Sequence, residues 1–351
     1  MTRTKNPLEY VRPCIKRLEP YSTARDEFKG GDIKVWIDAN ENPFNNGVNR
    51  YPDPHHRELR KCVSALKGVP EECLFFGGAG SDEAIDITFR IFCTPGVDNA
   101  VAITPSYGVY EVSAAVNDVE LRRVQLGEDF SLPVEALLAA SDSRTKLMWI
   151  CSPNNPTANA FAPADLLSLC ERFDGMVVVD EAYVDFSGCG SLVPAIPTHP
   201  NLIILQTFSK AWGMAGLRCG MAIAVPEIIE LYNRVKYPYN INGPTQTEVI
   251  NRIRRTDVSR TVKTILAERD RLERGLASAS CVLRIYPSDA NFLLVKVTDA
   301  DAVYDHLIDG GVIVRNRSRL PGCSGCLRVT VGTPEENDLT IKLFNSYQAA
   351  E

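Results

Sequence analysis

No apolar run in the 351 residues approaches the roughly 18 needed to span a bilayer. The longest stretches, such as Met176–Val179 and Met221–Val225, are far shorter. The amino-terminal residues mix Arg3, Lys5, Glu9, Pro7 and Pro13 and carry no apolar segment of the kind a secretory signal needs. A basic excess is missing too: 38 Lys and Arg against 44 Asp and Glu leave a net charge of -6. That balance argues against general affinity for nucleic acid or anionic membrane. A small anionic ligand held by a few local arginines remains compatible with it. Histidines are only four, His55, His56, His199 and His306, so a histidine-centred mechanism has little support. Cys323 and Cys326 have a Cys-x-x-Cys spacing, but neither a second pair nor a nearby histidine accompanies them. No metal is expected, and the pair reads as part of a loop leading into a strand. No internal repeat or low-complexity tract occurs. What remains is ordinary globular composition, 45% hydrophobic and 23% charged, sufficient for one large domain or two. The eleven cysteines are scattered and odd in number, which reads as reduced thiols in a cytoplasmic protein.

Short apolar runs at 101–104, 146–151, 176–180, 202–206 and 220–225 alternate with helix-length segments. That rhythm predicts an α/β fold with a mainly parallel sheet covered on both faces. Ser81–Phe92 places Ile85, Phe89 and Phe92 on one helical face, and Pro226 suits the first turn of another helix. After a break near residues 237–244, a long charged helical region is expected over roughly 245–278. Strands at 291–297 and 326–331 follow, with a helix between them. The predicted division is a large domain over 31–243 and a smaller α+β domain built from 1–30 and 244–351.

Four segments carry chemistry. In Thr207-Phe208-Ser209-Lys210, the lysine follows a predicted strand, at the carboxyl end where open α/β sheets bind ligands. A lysine desolvated there is an amine nucleophile suited to Schiff-base formation. Arg218, eight residues on and beyond two glycines, offers a fork for phosphate. The apolar strand Met176–Val179 runs into Asp180-Glu181-Ala182-Tyr183. Asp180 reads either as a helix-capping residue or as the carboxylate that keeps a pyridine nitrogen protonated. Ser152-Pro153-Asn154-Asn155-Pro156-Thr157-Ala158 is a stiff turn that would hold an amide in place. Gly77-Gly78-Ala79-Gly80-Ser81-Asp82 enters a helix whose first backbone N–H groups suit a phosphate.

Together these segments resemble the fold type I pyridoxal phosphate enzymes, specifically the class II aminotransferases and, among them, the histidinol-phosphate aminotransferase family. Further stretches extend the resemblance along nearly the whole chain: Glu19–Arg25, Asp38–Phe44, Asn49–Asp53, Pro105–Gly108 and Gly325–Thr333. Ala158 departs from it, since the family often has glycine there.

The resemblance implies the fold and the site. Lys210 would form the Schiff base with pyridoxal 5'-phosphate and move the substrate proton, and Asp180 would pair with the pyridinium nitrogen. Asn155 and Tyr183 would hydrogen-bond the phenolic oxygen, and Tyr107 would stack on the ring. Ser81, Asp82, Ser209 and Arg218 would hold the cofactor phosphate. Tyr51 would reach that phosphate from a neighbouring subunit, implying a homodimer with shared sites. Arg328 would take the substrate α-carboxylate, and Arg315, with Tyr21, a substrate phosphate. The implied reaction is reversible, ping-pong amino transfer between L-histidinol phosphate and 2-oxoglutarate, giving imidazole acetol phosphate and L-glutamate in histidine biosynthesis. An aromatic aminotransferase and a pyridoxal phosphate-dependent O-phosphothreonine decarboxylase share most of the motifs. A non-catalytic regulatory domain would normally carry a fused DNA-binding segment, for which no residues are to spare.

Overall fold

The computed structural model describes residues 5–23 and 32–348. Its helices are α1 (Pro13–Lys16), α2 (Arg57–Lys67), α3 (Ser81–Phe92), α4 (Val109–Val116), α5 (Val134–Ala139), α6 (Pro163–Arg172), α7 (Pro226–Val235), α8 (Gly243–Arg255), α9 (Val258–Ala277), α10 (Ala300–Asp309) and α11 (Pro334–Ser346). Seven strands, β1 (Leu74–Gly80), β2 (Asn99–Thr104), β3 (Glu120–Gln125), β4 (Thr145–Cys151), β5 (Met176–Asp180), β6 (Leu202–Thr207) and β7 (Gly220–Ile223), form one sheet in the order β1-β7-β6-β5-β4-β2-β3. Only β7 runs against its neighbours.

The central strands are buried on both faces, which is why they read as unbroken apolar runs. Val177 and Val179 point into one core with Met148, Ile150 and Ile204. Val178 points into the opposite core with Leu147, Trp149 and Leu205. β3, at the sheet's edge, carries Glu120, Arg122 and Arg123, and its charges keep a bare edge from pairing with another chain.

A second sheet, in the order β10-β11-β9-β8, comprises β8 (Val282–Ile285), β9 (Phe292–Val297), β10 (Arg315–Asn316) and β11 (Cys326–Thr330). Leu272 and Leu276 of α9, Val303 and Leu307 of α10 and Phe344 of α11 close its core.

The helical region expected over 245–278 is built of two helices, α8 and α9. Thr256 is extended, and the Asp257 carboxylate caps the N–H groups of Ser259 and Arg260, so α9 starts afresh. α8 packs on α2, beside the larger sheet. The glycine run at 77–80, which leads into the helix α3 as expected, is itself the end of strand β1. Gly78 has no room for a side chain, because a Cβ there would stand 1.8 Å from the Asn240 carbonyl oxygen.

Candidate active site

β1, β2, β4, β5 and β6 are parallel to one another, so their carboxyl ends share one edge of the sheet. The loops leaving those ends carry Ser81, Tyr107, Asn155, Asp180 and Lys210. They face Arg315 and Arg328 of the second sheet across a cleft of about 730 Å³. The same cleft is lined by Asp82, Tyr183, Ser209, Arg218 and Arg317.

Asp180 ends β5 fully inside the protein. Its Oδ2 accepts from the Tyr110 hydroxyl at 2.7 Å and its Oδ1 from the Ala182 N–H at 3.1 Å. Burial pushes the carboxyl up to about 6, against the pull of those two donors. Lys210 is held below its ordinary value, first by burial and then by the charge of Arg328. An amine so placed is more often neutral and nucleophilic. Its Nζ lies 5.4 Å from the centre of the Tyr183 ring. Tyr183 is buried and stands edge-on to Phe292, while burial raises its phenol.

On the other side of the cleft, Arg328 donates from Nη1 to Asn155 Oδ1 at 2.6 Å and lies over the Phe292 ring. The Ser152–Ala158 turn that presents Asn155 is locked by Asn154, which donates to Pro105 O at 2.9 Å and to Thr157 Oγ1 at 2.7 Å. Ala158 stands at φ +72°. That left-handed conformation favours glycine, so Ala158 adopts it against its own preference.

At the start of α3, Arg218 Nη2 donates to Ala79 O at 2.9 Å and lies 3.7 Å from Asp82 Oδ2. A Cβ on Gly80 would come within 3.0 Å of the same nitrogen. The glycine therefore lets the guanidinium lie against the backbone at the helix start, where N–H groups are free for an anion. Ser209 sits alongside, its N–H and hydroxyl both engaged with Thr207 Oγ1. Tyr107 donates to Asp82 Oδ1 at 3.0 Å.

Two expected residues are elsewhere in the chain. Tyr51 stacks on Tyr239, ring centres 4.5 Å apart, in a separate groove. Tyr21 is 74% exposed and lines another groove with His55, Arg57 and Lys236. One chain alone does not bring either tyrosine to Lys210. Ala24 and Arg25, the end of the first matching stretch, lie outside the described residues. All eleven cysteines are free, Cys323 and Cys326 included, and no metal-binding cluster occurs among the described residues.

Two residues escaped sequence reasoning. Tyr110, three positions after Tyr107, reaches Asp180. Arg317, two residues after Arg315, lines the cleft. Their signals were an i, i+3 tyrosine pair entering a helix and an Arg-x-Arg alternation entering a strand.

An amine, a buried carboxylate and an arginine fork around one cleft at the carboxyl edge of a parallel sheet define an amino-group transferase of the α/β class. The chain belongs to the aminotransferase class I and II family, which matches residues 24–343. It is 50% identical over 335 residues to a histidinol-phosphate aminotransferase of Parabacteroides distasonis, covering 95% of this chain and 96% of that protein. Solved structures agree on the fold. The histidinol-phosphate aminotransferase of Clostridium acetobutylicum superposes with a TM-score of 0.78 at 22% identity, over 85% of this chain and 90% of that one. That of Sinorhizobium meliloti, solved in complex with pyridoxal-5'-phosphate, gives 0.77 at 22% identity, over 84% and 82%.

Proposed function

We propose that the chain is a pyridoxal 5'-phosphate-dependent histidinol-phosphate aminotransferase, exchanging the amino group between L-histidinol phosphate and 2-oxoglutarate. The observation that carries this reading is the meeting of Lys210 and buried Asp180 with Arg315 and Arg328 in one cleft. The near-full-length relative of that name supports the substrate.

The cleft suits the cofactor on its own chemistry. A buried carboxylate pushed up to about 6 calls for a cationic partner, and a pyridinium N–H answers that need. The α3 start, Ser209 and Arg218 form an anion cradle opposite. When bound, pyridoxal phosphate supplies an electron sink that makes the substrate Cα–H acidic.

Asp180 would hold the proton on the cofactor's ring nitrogen. Tyr107 would pack beside the ring, and Tyr183 and the Asn155 amide, whose Oδ1 is already engaged by Arg328, would donate toward its phenolic oxygen. Lys210, whose proton affinity is lowered by burial and by Arg328, would attach the cofactor and serve as the base at the substrate Cα. Arg328 would orient glutamate through its α-carboxylate, and Arg315 would help take the phosphate of L-histidinol phosphate.

The reading includes a homodimer in the cytoplasm, with Tyr51 completing a partner's cofactor site and Tyr21 placed with it. Supporting this, Val35, Ile37, Phe44 and Val48 are each more than two-thirds exposed in the stretch leading to Tyr51, an apolar surface that calls for cover. No helix of the described residues is long and apolar enough to cross a membrane.

The test is a half-reaction of the holoenzyme with L-histidinol phosphate, L-glutamate, L-phenylalanine and O-phosphothreonine, followed by the absorbance of the bound cofactor. Fast conversion by the first two is expected. Equal or better rates with phenylalanine, or carbon dioxide release from phosphothreonine, would overturn the substrate.

A further inference from the structure

The second sheet presents more positive charge to the cleft than a carboxylate requires. Arg315 stands directly across from Arg328 in the antiparallel β10–β11 pair, and like charges so opposed weaken a sheet. The ladder continues beyond Asn316, because the Arg317 N–H donates to Cys326 O at 2.9 Å. Alternation along the strand then returns Arg317 to the face of Arg315. All three guanidiniums line the cleft.

Arg317 is held firmly. Its carbonyl accepts from Leu320 N–H at 2.9 Å, and the following turn closes with Cys326 N–H on Cys323 O, also 2.9 Å. Both cysteine side chains are buried. The Cys-x-x-Cys spacing is thereby explained as packing under the arginine. Yet the Nε atoms of Arg317 and Arg328 are buried with no hydrogen-bond partner, and no carboxylate among the described residues pairs with Arg315 or Arg317. Burial and the charges of Arg328 and Arg315 hold Arg317 below its ordinary value. A guanidinium N–H buried without an acceptor is costly, and with Arg315 and Arg317 lacking a carboxylate partner among the described residues the half-buried cluster is arranged for an anion.

The number of forks identifies the anion. A carboxylate has two oxygens and one charge, which a single bidentate arginine satisfies. A phosphomonoester has three terminal oxygens and nearly two charges. We propose that Arg317 is a specificity-determining residue that, with Arg315 and Arg328, grips the phosphomonoester of the amino donor and favours it over a carboxylate. This rests on the histidinol-phosphate reading and adds to it a residue that distinguishes the two half-reactions.

The experiment compares wild type, Arg317→Gln and Arg317→Lys holoenzymes in each half-reaction. Arg317→Gln should raise the KM for L-histidinol phosphate by about 10- to 100-fold, the loss of one charge-assisted contact. The effect on kcat should be smaller, and the loss with L-glutamate at least about fivefold less. Arg317→Lys keeps the charge without the fork and should recover part of the KM. Inorganic phosphate, competing with L-glutamate, should inhibit wild type at least about fivefold more strongly than Arg317→Gln. Equal losses in both half-reactions, or phosphate inhibition unchanged by Arg317→Gln, would overturn the assignment. A wild type inactive with histidinol phosphate, but with Arg317-dependent phosphate inhibition, would instead overturn the substrate and keep the anion site.

Discussion

Replacing Tyr110 by phenylalanine isolates what a single hydrogen bond does for Asp180. The ring should stay in place, because it stacks on Trp149 with centres 5.0 Å apart and meets Tyr107 edge-on at 5.7 Å. Only the hydroxyl donating to Asp180 Oδ2 at 2.7 Å is removed. A hydrogen bond to a charged group is worth about 1.5–3 kcal/mol. At roughly 1.36 kcal/mol per pH unit, its loss raises the carboxyl by about one to two pH units. In the wild-type apoprotein burial already lifts it from 3.8 to about 6. The folded state therefore binds a proton that the unfolded chain releases between those values. Stability from this group is fully present below pH 3.8 and is lost as pH rises through about 6. The loss amounts to about 3 kcal/mol. In Tyr110→Phe the decline should continue toward about pH 8, so the two apoproteins differ little near pH 4 and by about 1.5–3 kcal/mol at pH 8. Urea unfolding of both apoproteins at each pH provides the measurement, with Asp180→Asn expected to remove the pH-dependent difference. A gap between wild type and Tyr110→Phe that stayed constant from pH 4 to 8 would refute the reasoning.

Two further substitutions test the cofactor cradle and the sheet behind it. Arg218→Ala should weaken cofactor retention by about 10- to 100-fold, measured as the dissociation constant of pyridoxal phosphate, with little change in thermal unfolding of the apoprotein. Gly78→Ala should destabilise the protein by about 3 kcal/mol or more, read from denaturant midpoints, because the new methyl would collide with the fixed backbone of Asn240.

The parts of the fold legible in the sequence were those that a single period governs. β2, β4, β5, β6 and β7 are buried on both faces, so their residues had to be continuously apolar, and each was recognised as a strand from that run alone. β1 was hidden because its glycines, demanded by the passing Asn240 segment, mimic a loop. β3 was hidden because an edge strand carries charge in place of apolar alternation. The break between α8 and α9 turned on the Asp257 cap, which in a charged stretch looks like any other surface acid.

The site divides along the same line. Asp180 ends β5, and Asn155 and Lys210 follow β4 and β6 at the carboxyl edge, so position within a βα unit made them candidates and the family resemblance supplied their roles. Tyr110 reaches Asp180 seventy residues away, and the Arg317 N–H reaches Cys326 O across a hairpin, so only the folded geometry reveals them. The same geometry reverses the inference from overall charge. The chain carries a net -6, yet Lys210, Arg218, Arg315, Arg317 and Arg328 face the cleft against two carboxylates, Asp82 and Asp180. Asp180 is reserved by Tyr110 and buried at the end of its strand, while Asp82 lies beside Arg218. The carboxylates thus lie in the part of the cleft formed by the larger sheet, and the arginines of the second sheet are left facing the incoming substrate. A short-range field of that sign survives the negative surface because the burial that lowers Arg317 and Arg328 also limits screening by water and salt. The charge of the cleft is therefore set by the two sheet ends that meet there, and it is opposite in sign to the net charge of the chain.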